Sequence, residues 1–374
     1  MNAAPAPHLL DATMFWNASG GVRRYVIAKR EFALQQMGWR HTVATPTPDQ
    51  PDQLRLPSLP LPGSGGAYRL PWQRAALADL LCRAEPDLIE SADPYRLAWA
   101  ALDAADRRSV PALAFCHSNL EQVARLAAGG CFAATAGRVA ARYAARLYRR
   151  FDRVLAPSHA MTAHLRSWGV GQAMHQPLGV DCALFDPGRA DPAWRASLGL
   201  PAQARLLVYA GRFAPEKNLN ALTGALERLG PRYWMLAIGA GPAPPDGERV
   251  IVQPVVRDAR LLAAMIASCD LFVHAGAQET FGLSALEALA CGLPLVARAA
   301  EGLRELVSAD VGRGVDSDAA AAFAEAIDDV FSRDRLALTQ AARERALQSD
   351  WDRVLPLLWQ HYRQLLGTSP RSEQ

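Results

Sequence analysis

Twice in its 374 residues the chain alternates short apolar, β-prone runs with stretches of helical periodicity, and few folds accept that alternation. The first series of runs covers residues 8–13, 41–45, 87–90, 112–115 and 153–156; the second covers 206–210, 233–238, 250–252, 271–273 and 294–297. A strand, a helix and a further strand on the same side of a turn make a crossover unit, so each series predicts a parallel sheet flanked by helices. A chain of this length also exceeds the size at which single cores usually stop growing. We therefore expect an α/β protein of two Rossmann-like, doubly wound domains, residues 1–180 and 201–350, joined by a linker at 181–200. Turn formers cluster there without periodicity, in Pro177-Leu178-Gly179-Val180-Asp181 and Asp186-Pro187-Gly188. Two such domains in tandem would face each other across a cleft at the C-terminal edges of their strands, where these sheets bind ligands. A final amphipathic helix, 351–370, would show Trp351, Val354, Leu355, Leu358, Tyr362 and Leu365 on one side. Residues 46–67, rich in Pro, Gly and Ser, read as a loop.

Composition removes several classes of function. Half the residues are hydrophobic and 21% are charged, which is globular. A net charge of +3 does not argue for nucleic acid. The charge is uneven, with 20 basic and 13 acidic side chains in residues 1–180 against 20 and 24 in 181–374. Six scattered cysteines with no C-x-x-C fit free thiols in a reducing compartment and speak against a zinc site. Neither a basic leader with an apolar core nor a run of 18 apolar residues occurs, so a soluble cytoplasmic protein is expected.

The stretch 278–294 carries two carboxylates eight residues apart, Glu279 in a loop and Glu287 within the following helix. Gly282 between them allows close backbone approach, and the helix start behind it offers free N–H groups to an anion, although a strand-loop-helix is also ordinary scaffold. Arg212 and Lys217 follow the first strand of the second domain, a planar fork and a compact charge that both suit a diphosphate. Lys29 and Lys217 are the only lysines beside 38 arginines, so a lysine at this point is not surface filling. His117 lies just past a first-domain strand, where it either meets a ligand or caps the sheet. Gly20-Gly21 sits in a loop before a helix expected from about Val22 to Met37, without the full G-x-G-x-x-G pattern. Arg138, Arg142, Arg146, Arg149 and Arg150 recur at helical spacing, as a solvated face or as a contact with an anionic membrane surface. Asp316-Ser317-Asp318 reads as an N-cap by either aspartate, with a divalent cation site as the alternative.

Together these residues resemble glycosyltransferase family 4, retaining enzymes of the GT-B fold. The likeness covers nearly the whole chain. It rests on Gly211-Arg212 with Glu216-Lys217, Arg257-Asp258, the run 269–273, and Glu279-Thr280-Phe281-Gly282-Leu283 through Glu287-Ala288 to Gly292-Leu293-Pro294, where Glu279 and Glu287 form the family's E-x7-E motif. Gly20-Gly21-Val22-Arg23-Arg24-Tyr25 and His117 match more loosely, and Leu178 stands where many members have Asn.

The resemblance implies a nucleotide-diphosphate sugar as donor, held by the second domain, and a glycan, glycolipid or small-molecule acceptor bound by the first. Arg212 and Lys217 would neutralise the diphosphate, backbone N–H groups at Phe281, Gly282 and Leu283 would add donors, and Glu287 would hold the ribose. Glu279 and His117 would flank the donor sugar, Gly20 and Gly21 would lie beside the donor, and Arg257 would border the base. No metal or other cofactor is implied. The final helix would cross back onto the first domain, so that closure gates the reaction. Residues 19–25, 93–99 and 115–118 look most like members described as GDP-mannose-dependent mannosyltransferases. The alternatives are a UDP-sugar such as UDP-glucose as donor, or a nucleotide-sugar epimerase on the same fold. The protein would be cytoplasmic, with peripheral contact at the inner membrane face, and would bind no nucleic acid.

Overall fold

The structure, a computed structural model, describes residues 5–17, 20–61 and 69–367. It divides into two compact units, one formed by Met1–Pro177 with Val354–Gln374 and the other by Leu178–Arg353.

The first unit begins with β1 (His8–Ala12), α1 (Gly20–Gln35), β2 (Arg40–Thr45) and β3 (Leu54–Arg55), then a hairpin of β4 (Ser58–Pro60) and β5 (Arg69–Pro71). It continues through α2 (Arg74–Arg83), β6 (Leu88–Ser91), α3 (Arg96–Arg108), β7 (Ala112–Phe115), α4 (Leu120–Ala128) and α5 (Ala133–Tyr148) to β8 (Arg153–Ala156), α6 (His159–Ser167) and β9 (Ala173–His175). Seven of these strands form one parallel sheet in the order β3-β2-β1-β6-β7-β8-β9, so the chain reverses its direction of travel between β1 and β6. The central strands are buried end to end, as parallel strands covered on both faces must be. Alanine makes this packing close: α3 buries Ala98, Ala100, Ala101, Ala104 and Ala105 beside Leu97 and Leu102.

The second unit runs through α7 (Pro192–Ser197), β10 (Arg205–Ala210), α8 (Leu219–Leu229), β11 (Tyr233–Ile238), β12 (Val250–Gln253), α9 (Ala259–Ala267), β13 (Leu271–His274), α10 (Leu283–Ala290) and β14 (Leu295–Arg298). It closes with α11 (Glu301–Leu306), β15 (Gly312–Val315), α12 (Ala320–Ser332), α13 (Arg335–Leu347) and the start of α14 (Trp351–Gly367). Its six strands are parallel in the order β12-β11-β10-β13-β14-β15, a doubly wound order whose reversal lies between β10 and β13. Both sheets are thus doubly wound, as the alternating pattern predicts. The helix α14 passes at Val354 into the first unit, and all six of its expected apolar positions are buried. Residues 368–370 of that predicted helix lie outside the described residues.

Two expectations need correction. The first helix starts at Gly20, so Gly20 and Gly21 form its first turn and not the preceding loop; Ser19 lies outside the described residues. The buried spacing Val22, Tyr25, Val26, Lys29 and Ala33 carries the helical stripe, and a turn of glycine in front of it costs only about 1 kcal/mol per residue. Residues 46–61 are not plain loop: β3 joins the sheet edge beside β2, and β4 pairs with β5. The remainder of that predicted loop, 62–67, lies outside the described residues.

A buried polar cluster ties the first unit together. Lys29 Nζ lies 2.5 Å from Asp11 Oδ1 and 2.6 Å from Glu90 Oε1, His41 Nε2 lies 2.6 Å from Asp11 Oδ2, and Tyr25 donates to Glu90 at 2.9 Å. The Tyr362 hydroxyl of α14 donates to the other Glu90 oxygen. Burial raises the Glu90 carboxyl, whereas for Asp11 the charge of Lys29 and the bond to His41 outweigh burial and lower it. Removing one partner of such a cluster strands buried charge. Lys29→Met should therefore destabilise the protein by about 3–5 kcal/mol in urea melts, and Tyr362→Phe, which deletes one hydrogen bond to a charged group, by about 1–3 kcal/mol.

Candidate active site

The loops after β10 and β13 leave the sheet on either side of its reversal, so side chains at those two strand ends are brought together by topology alone. Lys217 ends a single 3-10 turn (Pro215–Lys217) after β10, and its backbone hands over to α8 through Asn218 in the left-handed conformation. The buried Lys217 ammonium lies 2.5 Å from Glu279 Oε1. His274, the last residue of β13, lies 3.0 Å from the same oxygen through Nε2. The Gly276 N–H donates to His274 Nδ1 at 3.2 Å, which leaves the ring proton on Nε2, donating to the carboxylate. Burial raises the Glu279 carboxyl, but Lys217 and then His274 outweigh it and hold it well below the usual carboxylate range. Glu279 is thus a fixed anion with two oriented donors.

Three glycines let the backbone close around this group. A Cβ on Gly276 would lie 3.0 Å from the Glu216 carbonyl oxygen and 3.1 Å from Lys217 Cα, so only glycine lets the two loops touch. Gly302, in α11, donates its N–H to the Glu279 carbonyl at 2.9 Å, and a Cβ there would lie 2.5 Å from Phe281 Cα. Gly282 precedes α10 with φ of 96° and is seated against Leu303. Phe281, Gly282 and Leu283 therefore lead directly into the first turn of α10, where N–H groups have no acceptor within the helix. Glu287 is the one charged residue of that helix, 1% exposed among Ala285, Leu286, Ala288 and Leu289.

The other expected residues lie elsewhere. Arg212 is largely exposed and pairs with its own neighbour Glu216 at 2.8 Å, while its carbonyl accepts from Tyr209 at 2.8 Å. Arg257 is exposed in the loop after edge strand β12, just before Asp258 caps α9. His117, Gly20 and Gly21 belong to the first unit. There the His117 ring stacks on Phe115 at 4.5 Å and meets the edge of Tyr25 at 5.3 Å; burial, with the charge of Lys29 second, lowers its pKa to about 3 and keeps it neutral. A Cβ on Gly20 would meet nothing within 4 Å.

The aspartate reading at 316–318 is corrected. Neither aspartate caps α12, whose N-cap is Ala319; Asp318 pairs with Arg298 at 2.8 Å, Asp316 with Arg304 at 3.3 Å, and Ser317 Oγ accepts from the Ala319 N–H. One residue escaped the sequence reading, and a second, Asp93, was named there only as part of the stretch 93–99. His274 closes an apolar run and reads as its end, though a polar residue closing a buried strand beside a motif is itself a signal. Asp93, after β6, accepts the backbone N–H groups of Met14 and Tyr95 at 3.2 Å each, and burial raises it to about 6.

Residues 19–184 match the family described as Glycosyltransferase Family 4, and residues 190–346 match Glycosyl transferases group 1. A GDP-mannose-dependent alpha-(1-6)-phosphatidylinositol dimannoside mannosyltransferase of Mycobacterium tuberculosis is 30% identical over 313 residues, 81% of this chain and 80% of its own. A GDP-mannose-dependent alpha-mannosyltransferase from the same species is 32% identical over 295 residues, 76% and 74% of the two chains. Among solved structures, the sucrose-phosphate synthase of Thermosynechococcus elongatus superposes with a TM-score of 0.78 at 24% identity, over 96% of this chain and 99% of its own, a likeness of fold.

The Lys217–Glu279–His274 group makes a specific expectation about stability and turnover. Because the folded carboxyl is depressed, the pair contributes stability above about pH 4.5 that is lost as pH falls towards the depressed value. Lys217→Met should lose about 3–5 kcal/mol at pH 7 in denaturant melts, and Lys217→Met/Glu279→Gln should regain much of that stability without regaining activity. His274→Phe, which keeps a buried ring but removes the Nε2 donor, should lower kcat roughly tenfold while the KM for donor stays within about threefold.

Proposed function

The chain belongs to glycosyltransferase family 4, and we propose on that premise that it moves mannose from GDP-mannose, with retention at the anomeric carbon, onto a glycan or glycolipid acceptor. As a family member it transfers a sugar from a nucleotide-diphosphate donor; its two parallel-sheet units are those of the GT-B fold. Mannose and GDP rest on the names of relatives at 30 and 32% identity and on the first-unit sequences around Tyr25, Tyr95 and His117.

The observation that carries the reading is the fixed anion Glu279, held between Lys217 and His274 beside the start of α10. In transfer with retention, the bond between the anomeric carbon and the β-phosphate oxygen breaks with its electron pair passing to phosphate. The acceptor oxygen bonds to the same face of the carbon, and its proton passes to that phosphate oxygen. Charge therefore grows on the diphosphate, and Lys217, Arg212 and the N–H groups at Phe281, Gly282 and Leu283 are donors suited to it. Glu279, with its pKa held far down, is a poor proton acceptor. Its role is to hold sugar hydroxyls, and Glu287 is assigned to the ribose, Arg257 to the base, and His117, Gly20 and Gly21 to the donor from the first unit. The neutral His117 can donate or accept a hydrogen bond but brings no charge.

A thermal-shift series against GDP, UDP, ADP and their sugars tests the donor. A ligand at a hundred times its Kd stabilises by about 2.7 kcal/mol, and the expected order places GDP and GDP-mannose first; a larger shift with UDP-sugars overturns the assignment. Proton NMR of the reaction with acceptor should show an α-linked mannoside, and conversion of the nucleotide sugar to an epimer without acceptor would instead support the epimerase. Glu279→Gln should lower kcat about a hundredfold or more with the fold intact.

A further inference from the structure

Tyr209, the last residue but one of β10, is wholly buried, with its ring in the core of the second unit among Leu207, Phe213, Leu222 and Val273. A phenylalanine would fill that place equally well, so the hydroxyl calls for a partner. It donates to the Arg212 carbonyl at 2.8 Å. The other end of the same peptide unit, the Phe213 N–H, donates to the Ala240 carbonyl at 2.8 Å, and the Gly211 N–H donates to the Ile238 carbonyl at 3.0 Å. The backbone that carries Arg212 is thus held from the end of β11 and, through Tyr209, from its own strand. Gly211 is seated against the same hydroxyl, since a Cβ there would lie 2.8 Å from the phenol oxygen. Burial, and after it the charge of Glu279, raise the phenol, so it stays a donor at any working pH. The Tyr209 ring also lies 5.5 Å from that of His274, which holds Glu279.

Arg212 has need of such support. Its side chain is 64% exposed, and its one ion pair among the described residues is with Glu216 at 2.8 Å. A long exposed side chain keeps much of its rotamer freedom, so the direction in which its guanidinium reaches is set largely by the backbone that launches it. We propose that Tyr209 is a positioning residue for sugar transfer, its hydroxyl fixing the Arg212–Phe213 peptide so that the Arg212 guanidinium is aimed at the donor diphosphate. Wholly buried, Tyr209 acts on a ligand only through Arg212, and its role rests on the reading that Arg212 meets the diphosphate. Without the hydroxyl the peptide is held at one end only, and it turns, carrying the side chain with it. A misplacement of about an ångström costs most in the transition state, where charge on the diphosphate is growing, and least in the bound donor. Its loss is therefore read in kcat before KM.

The test is a double-mutant cycle in steady-state transfer from GDP-mannose, or from whichever nucleotide sugar stabilises the protein most. Tyr209→Phe should fold, melt within a few degrees of wild type, and lower kcat roughly tenfold while the KM for donor stays within about threefold. Inhibition by the nucleoside diphosphate product, which carries the full leaving charge, should weaken about tenfold, and inhibition by the nucleoside alone should not change. Arg212→Gln should lower kcat roughly a hundredfold. Tyr209→Phe added to it should lower kcat no further, because a residue that acts through Arg212 then has nothing left to position. Gly211→Ala, which pushes the hydroxyl off the carbonyl, should reproduce the loss of roughly tenfold and lose its effect in the same background. Full additivity of Tyr209→Phe and Arg212→Gln overturns the role, as does a wild-type kcat in Tyr209→Phe; in both cases an impaired Arg212→Gln leaves the diphosphate reading standing. A wild-type kcat in Arg212→Gln overturns that reading and this role with it.

Discussion

A buried ammonium set against carboxylates across the reversal of a parallel sheet is the interaction on which both units depend. In the second unit Lys217 comes from the loop after β10 and Glu279 from the loop after β13, the two strands that part company at the reversal. In the first, Lys29 sits between Asp11 on β1 and Glu90 on β6, the equivalent pair of strands. Crossovers run in opposite directions from these strands, which leaves a crevice at their C-terminal ends, and in each unit a lysine brings its ammonium to the pair of strands beside it. The two solutions differ in exposure. Lys29 and both its partners are fully buried, which makes the cluster a brace, whereas Glu279 keeps about a quarter of its side chain open, which makes the same chemistry available to a ligand.

Central strands were legible because they are buried on both faces and must be apolar along their whole length; the sequence runs at 206–210, 233–238 and 271–273 meet β10, β11 and β13 within a residue or so. Edge strands were legible only where their own residues are apolar, as in β12. The strand β15 reads Gly-Arg-Gly-Val, with no apolar run, and exists because β14 offers it a ladder. A side chain at Gly312 would place its first carbon 1.9 Å from the Leu295 carbonyl oxygen, so the residue that looks like a strand breaker is the one that allows the pairing. Likewise β3 is two residues long and takes its extended form from β2.

For the site, rarity and spacing were informative where local propensity was not. Lysine scarcity singled out Lys217, and the eight-residue interval singled out Glu279 and Glu287, because each reflects a constraint on charge within a buried environment. His274 went unseen because its role depends on a hydrogen bond from Gly276, two residues on, and a carboxylate five residues on, both set by a loop whose path no local rule supplies. The aspartates at 316 and 318 failed in the opposite way: the rule that acids cap helices is sound, but Arg298 and Arg304 compete for the same oxygens, and a guanidinium is the stronger partner.

Two lysines, both folded away, also leave the protein surface without a side-chain amine. Acylating reagents, cross-linkers aimed at primary amines and enzymes that modify lysine would meet a coat of guanidinium groups, which stay protonated at neutral pH. The Lys29 ε-amine, fully buried, becomes reactive only when the first unit opens, whereas that of Lys217 lies beside the partly open Glu279 and is reached through the site. Amine acylation followed by peptide mapping consequently reads two different events, opening of the first unit at Lys29 and access to the site at Lys217.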